Sequence, residues 1–175
     1  MTIKGIELSR YIRNIPDWPK KGILFRDITP LLAHPKAFAA AIDALCVDFR
    51  DAGIEYVAAV EARGFIFGAA VAEELGVGFV PIRKKGKLPF KTESVTYDLE
   101  YGTDTLEVHS DAIRSGAKVL MVDDLLATGG TMAAACKLIE KIGGEIAAIT
   151  FLIELSELAG RDKLSGYKLK VVISY

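Results

Sequence analysis

The residues best suited to chemistry lie between Val119 and Thr131, in the stretch VLMVDDLLATGGT. An apolar run delivers two adjacent carboxylates, Asp123 and Asp124. A short loop, Ala127, Thr128, Gly129, Gly130 and Thr131, then leads into a helical pattern. Glycine lets the backbone approach an oxyanion closely, and the first turn of a helix presents unpaired N–H groups and the positive end of its dipole. Thr128 and Thr131 add hydroxyl donors. The two carboxylates cannot bind an anion themselves, so they must serve another part of the ligand, such as sugar hydroxyls or a metal ion. A phosphate beside a polyol describes a phosphorylated sugar. The chain contains no GxxxxGK[ST] loop, and no GxGxxG follows a strand, so the phosphate motifs of P-loop ATPases and Rossmann dehydrogenases are missing.

Three further stretches carry candidate groups. Glu61, Ala62, Arg63 and Gly64 follow the apolar run Tyr56 to Val60 and open a second helical pattern. Backbone N–H groups at that helix start and the rigid guanidinium fork of Arg63 suit a diphosphate. The segment Arg83 to Lys91 holds five cations with a Gly and a Pro. It reads either as a solvated charged face or as a basic loop at a strand end, on the same edge as the two phosphate loops. Finally, Gly22 to Pro30, GILFRDITP, is apolar apart from Arg26 and Asp27. Either it is a packed loop with an Arg–Asp pair, or it offers the apolar surface and few fixed polar groups that a flat heteroaromatic base requires.

The acid pair and ATGGT loop resemble the phosphoribosyl-diphosphate signature of type I phosphoribosyltransferases, and LLATGGTM is similar to the adenine-specific members. EARGF resembles their pyrophosphate loop and GILFRDITPLL their adenine-binding segment. The resemblance runs from about Ile15 to Leu155 through four motifs in order. It implies transfer of a phosphoribosyl group from phosphoribosyl diphosphate to adenine, giving AMP and diphosphate, with Mg²⁺ held mainly by substrate and water and by no direct protein ligand. By the same resemblance Leu24, Phe25 and Arg26 hold adenine, with Tyr101. Asp123, Asp124 and Ala127 to Thr131 hold the phosphoribosyl group, and Glu61 to Gly64 with Arg83 and Lys87 hold the diphosphate. Glu100, in DLEYG, is a catalytic-loop residue beside Lys87 and Arg63, although a carboxylate at a hairpin turn also reads as a cross-strand partner. A homodimer is expected. The alternatives are transfer to another purine base, or a non-catalytic phosphoribosyl-diphosphate sensor.

The elements that must position these groups follow from periodicity. Residues Lys4 to Ile12 suggest a short amphipathic helix, stopped at Pro16 and Pro19. Pro35 to Ala52 has a broad apolar helical face ending at Gly53, and a further helix runs from the EARG loop to Leu75 and Gly76. Strands are expected at Tyr56 to Val60, Gly78 to Ile82, Val119 to Val122, Glu145 to Glu154 and Lys168 to Ser174. Ser94 to Leu99 and Thr105 to His109 form a hairpin, followed by a short helical connection to Ser115. The last expected helix spans Met132 to Ile142. Alternating strands and helices predict an α/β fold, a mainly parallel sheet with helices on both faces and the ligand outside the strands' carboxyl ends. About residues 1–33 are expected to form a base-binding hood on this single domain, and about 83–109 a hairpin lid.

Composition bounds the reading. With 175 residues and 51% hydrophobic content, the chain can bury one substantial core and not two. A net charge of -1 gives no general attraction to nucleic acid or anionic membranes. MTIKGIELSR lacks an apolar leader core, no apolar run of eighteen or more follows, and Cys46 and Cys136 have no metal-ligand spacing. A cytoplasmic protein is expected. His34 and His109 have no acidic partners in sequence and read as structural or exposed.

Overall fold

A computed structural model describes residues 2–3, 5–98 and 102–175. The chain divides into two compact units, residues 1–44 and 45–175. In the first, β1 (Thr2–Ile3) pairs antiparallel with β2 (Ile6–Glu7), and β3 (Arg13–Pro16) with β4 (Leu24–Asp27). Where the sequence suggests a helix over residues 4–12, there is instead a single 3-10 turn, Leu8–Tyr11, which buries Leu8. Four apolar positions in so short a segment cannot offset the cost of helix nucleation. The short α1 (Thr29–Ala33) and α2 (Pro35–Cys46) follow, and a 3-10 turn rather than α-helix occupies Val47–Phe49.

The second unit is built on a seven-stranded sheet. Its strands are β5 (Tyr56–Val60), β6 (Gly78–Lys84), β7 (Thr92–Asp98), β8 (Thr103–His109), β9 (Lys118–Leu126), β10 (Glu145–Glu154) and β11 (Leu169–Ser174). Their order is β11-β10-β9-β5-β6-β8-β7. The five strands from β11 to β6 are mutually parallel, and the hairpin β7–β8 adds antiparallel to the edge of β6. The connection 110–115 consists of turns, not helix.

Strand alternation explains the two covered faces. On β5, Ala58 and Val60 belong to the core cluster that includes Ala135, Leu138 and Ile139 of α4 (Gly130–Lys141). Ala59 points the other way, where it crowds Gly68 of α3 (Arg63–Leu75): a side chain at Gly68 would come within 2.6 Å of its Cβ. The free thiols Cys46 and Cys136 are buried, and burial pushes the Cys136 thiol up to about 12, so it behaves as a core hydrophobe. No helix among the described residues is long and apolar enough to cross a membrane.

Candidate active site

The sheet order reverses at β5, whose neighbours β6 and β9 follow it in opposite directions along the sheet. In open α/β sheets such a switch point opens a crevice at the strands' carboxyl ends, because the two outgoing loops diverge there. Those loops are Glu61 to Gly64 after β5 and Ala127 to Thr131 after β9. Both line one cleft of about 290 Å³, together with Asp123 and Asp124. The structure therefore brings together the residues that the sequence assigned to phosphoribosyl and to the diphosphate loop.

The cleft is framed by two helix starts without side-chain caps, at Ala62 for α3 and Gly129 for α4. Their first N–H groups are thus left for a ligand or water. The Glu61–Ala62 peptide is cis. Gly129 has φ 76°, a left-handed conformation that favours glycine, and its added Cβ would fall 2.3 Å from the carbonyl oxygen of Gly160. The close approach that requires glycine at this position is thus to the protein's own backbone. A Cβ on Gly160 would in turn meet the Ala127 carbonyl oxygen at 2.2 Å. Gly160 therefore supports the phosphate loop from behind.

The segment carrying Gly160 is itself anchored. Leu155 N–H donates to the Leu126 carbonyl at 2.9 Å. Glu154, 7% exposed in its side chain, accepts Arg161 Nε at 2.6 Å and Nη2 at 2.8 Å, with Ser174 Oγ donating at 3.3 Å. The guanidinium holds the Glu154 carboxyl below the usual glutamate range. These contacts were not anticipated from the sequence, in which residues 156–164 carry no motif. The one available signal was a glycine next to charged residues after a strand ending on the ligand edge.

Asp123 and Asp124 lie inside β9, which continues four residues beyond the expected Val122 terminus. Asp124, with a side chain 5% exposed, pairs with Arg63 Nε at 2.9 Å. Its N–H donates to Asp123 Oδ1 at 2.9 Å. Burial, then the charge of Asp124, pushes the Asp123 carboxyl well above the usual range. Burial also raises Asp124, against the opposing pull of Arg63. A side chain on Gly64 would touch Asp123 Oδ1 at 2.7 Å, so the start of α3 is packed against β9. Thr131 Oγ1 lies 3.3 Å from the Tyr97 hydroxyl of β7, a contact not anticipated from sequence.

Arg83 and Lys87 do not line the cleft. Both are bound to Glu61, with Lys87 Nζ 2.9 Å from Oε2 and Arg83 Nε 3.4 Å from Oε1. Glu100 and Tyr101 fall outside the described residues.

Within the first unit, Leu24, Phe25 and Arg26 form three of the four residues of β4. The Arg26 guanidinium donates to Asn14 Oδ1 across the β3–β4 ladder. Asp27 accepts Thr29 N–H at 2.9 Å and its hydroxyl at 2.8 Å, so each member of the expected Arg–Asp pair has other partners. Phe25 stacks edge-on to Trp18 with centroids 4.4 Å apart. Leu24 is 43% exposed, leaving an apolar surface beside the fixed polar groups of β4.

The sequence pattern of the phosphoribosyl transferase domain matches residues 28–173. The adenine phosphoribosyltransferase of Thermotoga maritima is 56% identical over 97% of this chain and 98% of its own length. Among solved structures, the enzyme of Thermoanaerobacter pseudethanolicus superposes with a TM-score of 0.93 at 54% identity, covering 96% of this chain and 98% of that one. The enzyme of Saccharomyces cerevisiae, solved with an imino-altritol bisphosphate and adenine, superposes at 0.90 with 41% identity, covering 94% and 96%. Full-length identity above one half, together with the shared sheet, establishes that the chain belongs to the phosphoribosyltransferase family, among the adenine phosphoribosyltransferases.

Proposed function

We propose that this chain transfers the 5-phosphoribosyl group from phosphoribosyl diphosphate to adenine, releasing AMP and diphosphate, as a purine-salvage enzyme of the cytoplasm. The observation that supports this most is the single cleft shared by two uncapped helix starts, an acid pair and Arg63. It suits a ligand with phosphates at both ends and sugar hydroxyls between them. The resemblance assigns adenine to Leu24, Phe25 and Arg26 of the first unit, and proton exchange on the base to Glu100.

Displacement at the anomeric carbon passes through an oxocarbenium-like state, as in glycoside hydrolysis. The task of the protein is then to hold the sugar, keep water from the cation and stabilise the charge growing on the departing diphosphate. Asp123 and Asp124 suit the ribose hydroxyls as acceptors. The loop Ala127 to Thr131 suits the 5-phosphate through N–H and hydroxyl donors. Arg63, Arg83 and Lys87 are the cations available to the diphosphate. The donor set fits Mg²⁺, since two carboxylates face a cleft whose ligand carries phosphate oxygens, and this ion keeps much of its water. When bound, it neutralises charge on the diphosphate. In the second unit, exposed Ile66 and Phe90 are compatible with the homodimer that the resemblance implies.

The test is to incubate the pure protein with phosphoribosyl diphosphate, Mg²⁺ and each purine base in turn, and to separate the nucleotides formed. AMP from adenine is expected. A nucleotide formed from hypoxanthine or xanthine instead would replace adenine with that base, and no nucleotide at all would refute the transferase.

A further inference from the structure

The two lid cations are already engaged by an anion of the protein. Glu61 stands at the carboxyl end of β5 with its side chain 10% exposed. Its Oε2 receives Lys87 Nζ at 2.9 Å and Arg83 Nη2 at 3.4 Å, and its Oε1 receives the backbone N–H of Lys84 at 2.8 Å. Arg83 Nη1 also donates to the Lys87 carbonyl at 3.1 Å, which closes the loop on itself. Two cations and a backbone N–H around an oxyanion form the donor set that a phosphate group takes. Here a carboxylate occupies it. Glu61 lines the cleft while Arg83 and Lys87 do not, so the carboxylate holds both cations at the rim.

We propose that Glu61 is an internal counter-ion exchanged for the ligand's diphosphate. It neutralises Arg83 and Lys87 in the free enzyme, yields them when phosphoribosyl diphosphate binds, and recovers them as diphosphate leaves. This rests on the reading of the cleft as a diphosphate site. A carboxylate cannot ligate diphosphate directly, so Glu61 is a positioning residue and not a contact. The cations stay 34% and 49% exposed, where water takes the place of the carboxylate, and the 10% exposed Glu61 retains the Lys84 N–H when they leave. The carboxylate also opposes tight binding. By competing for both cations it weakens the grip on diphosphate and opens a route for product release.

A brace and a competitor predict opposite signs. Removing a brace lowers affinity; removing a competitor raises it. Glu61→Gln keeps one carbonyl oxygen, enough to accept Lys84 N–H, but replaces the oxygen facing Lys87 with an amide donor and discards the charge. Binding of diphosphate with Mg²⁺ to the full chain, followed by titration calorimetry, is expected to tighten about fivefold in this variant. KM for phosphoribosyl diphosphate and kcat should then fall together, the latter because product release slows. Lys87→Ala is the companion variant, expected to weaken diphosphate binding. If Lys87→Ala binds diphosphate like the wild type, the ligand does not meet these cations, and both the diphosphate reading and the exchange are overturned. If Lys87→Ala weakens binding while Glu61→Gln also weakens it or leaves it unchanged, only the exchange is overturned. Should Glu61→Gln fail to fold, Glu61→Asp keeps the charge one methylene short of Lys87. It is expected to tighten binding by a smaller factor, and unchanged or weaker binding would count against the exchange in the same way.

Discussion

At the residue scale the acid pair is a site maintained against its own stability. Burial and the neighbouring Asp124 raise the Asp123 carboxyl well above its ordinary range. Between the unfolded value and that raised value the folded protein holds more protons than the unfolded one, so stability falls as pH rises through this window. Asp123→Asn removes the buried charge while its amide oxygen can still accept Asp124 N–H. Thermal melts should show a higher Tm, by about 2–4 °C for each kcal/mol recovered, with a flatter dependence on pH. Affinity for phosphoribosyl diphosphate should drop about 10- to 100-fold, the range for losing a hydrogen bond to a charged acceptor. A lower Tm would mean that the carboxylate contributes to the fold after all. The role proposed for Glu100 lies in the chemical step instead. Glu100→Gln keeps shape and hydrogen bonding but not proton exchange, so turnover should fall with nearly unchanged affinity for phosphoribosyl diphosphate. Wild-type turnover under chemistry-limited conditions would leave Glu100 a turn carboxylate.

At the scale of elements, the phosphate loop depends on a segment that the motif does not contain. The backbones of Gly129, Gly160 and Ala127 are in mutual contact, and Glu154 with Arg161 clamps the segment behind them. Backbone atoms cannot rotate away as a flexible side chain can. Gly160→Ala must therefore displace the loop, at about 1–3 kcal/mol, the usual cost of overpacking. A Tm lowered by several degrees and a raised KM for phosphoribosyl diphosphate are the expected readouts. If the variant melts and binds like the wild type, the loop is not supported from this side. The motif itself was legible because it is local: an apolar run, two acids and a glycine loop. The support was not legible, because Gly160 lies about thirty residues downstream and only the strand order brings it back. Short segments were the other difficulty. Residues 4–12 and 110–115 have too few apolar repeats to distinguish a helix from turns, whereas α3, with three full turns and a glycine stop, matched its expected span.

At the scale of the molecule, ligand binding should stabilise the folded second unit, because two loops distant in sequence meet on one ligand. Phosphoribosyl diphosphate with Mg²⁺ at about 100 times its Kd adds about 2.7 kcal/mol to the folded state. Melts should rise by about 5–11 °C, less when Mg²⁺ is chelated, and the shift should be reduced in Asp123→Asn. An unshifted melt at saturating ligand would remove the ligand from this cleft. The sequence alone was enough to establish the alternation of strands and helices, the bounds of β5 and β10, and which side chains each loop carries. Hydrophobic period, terminating glycines and side-chain type are properties of one continuous segment. Tertiary structure alone decided that β5 and β9 are neighbours, that Asp124 meets Arg63, that Glu61 holds Arg83 and Lys87, and that Gly160 stands behind Gly129. Each of those joins residues far apart along the chain. Their meeting depends on the order in which strands enter the sheet, which no local pattern encodes.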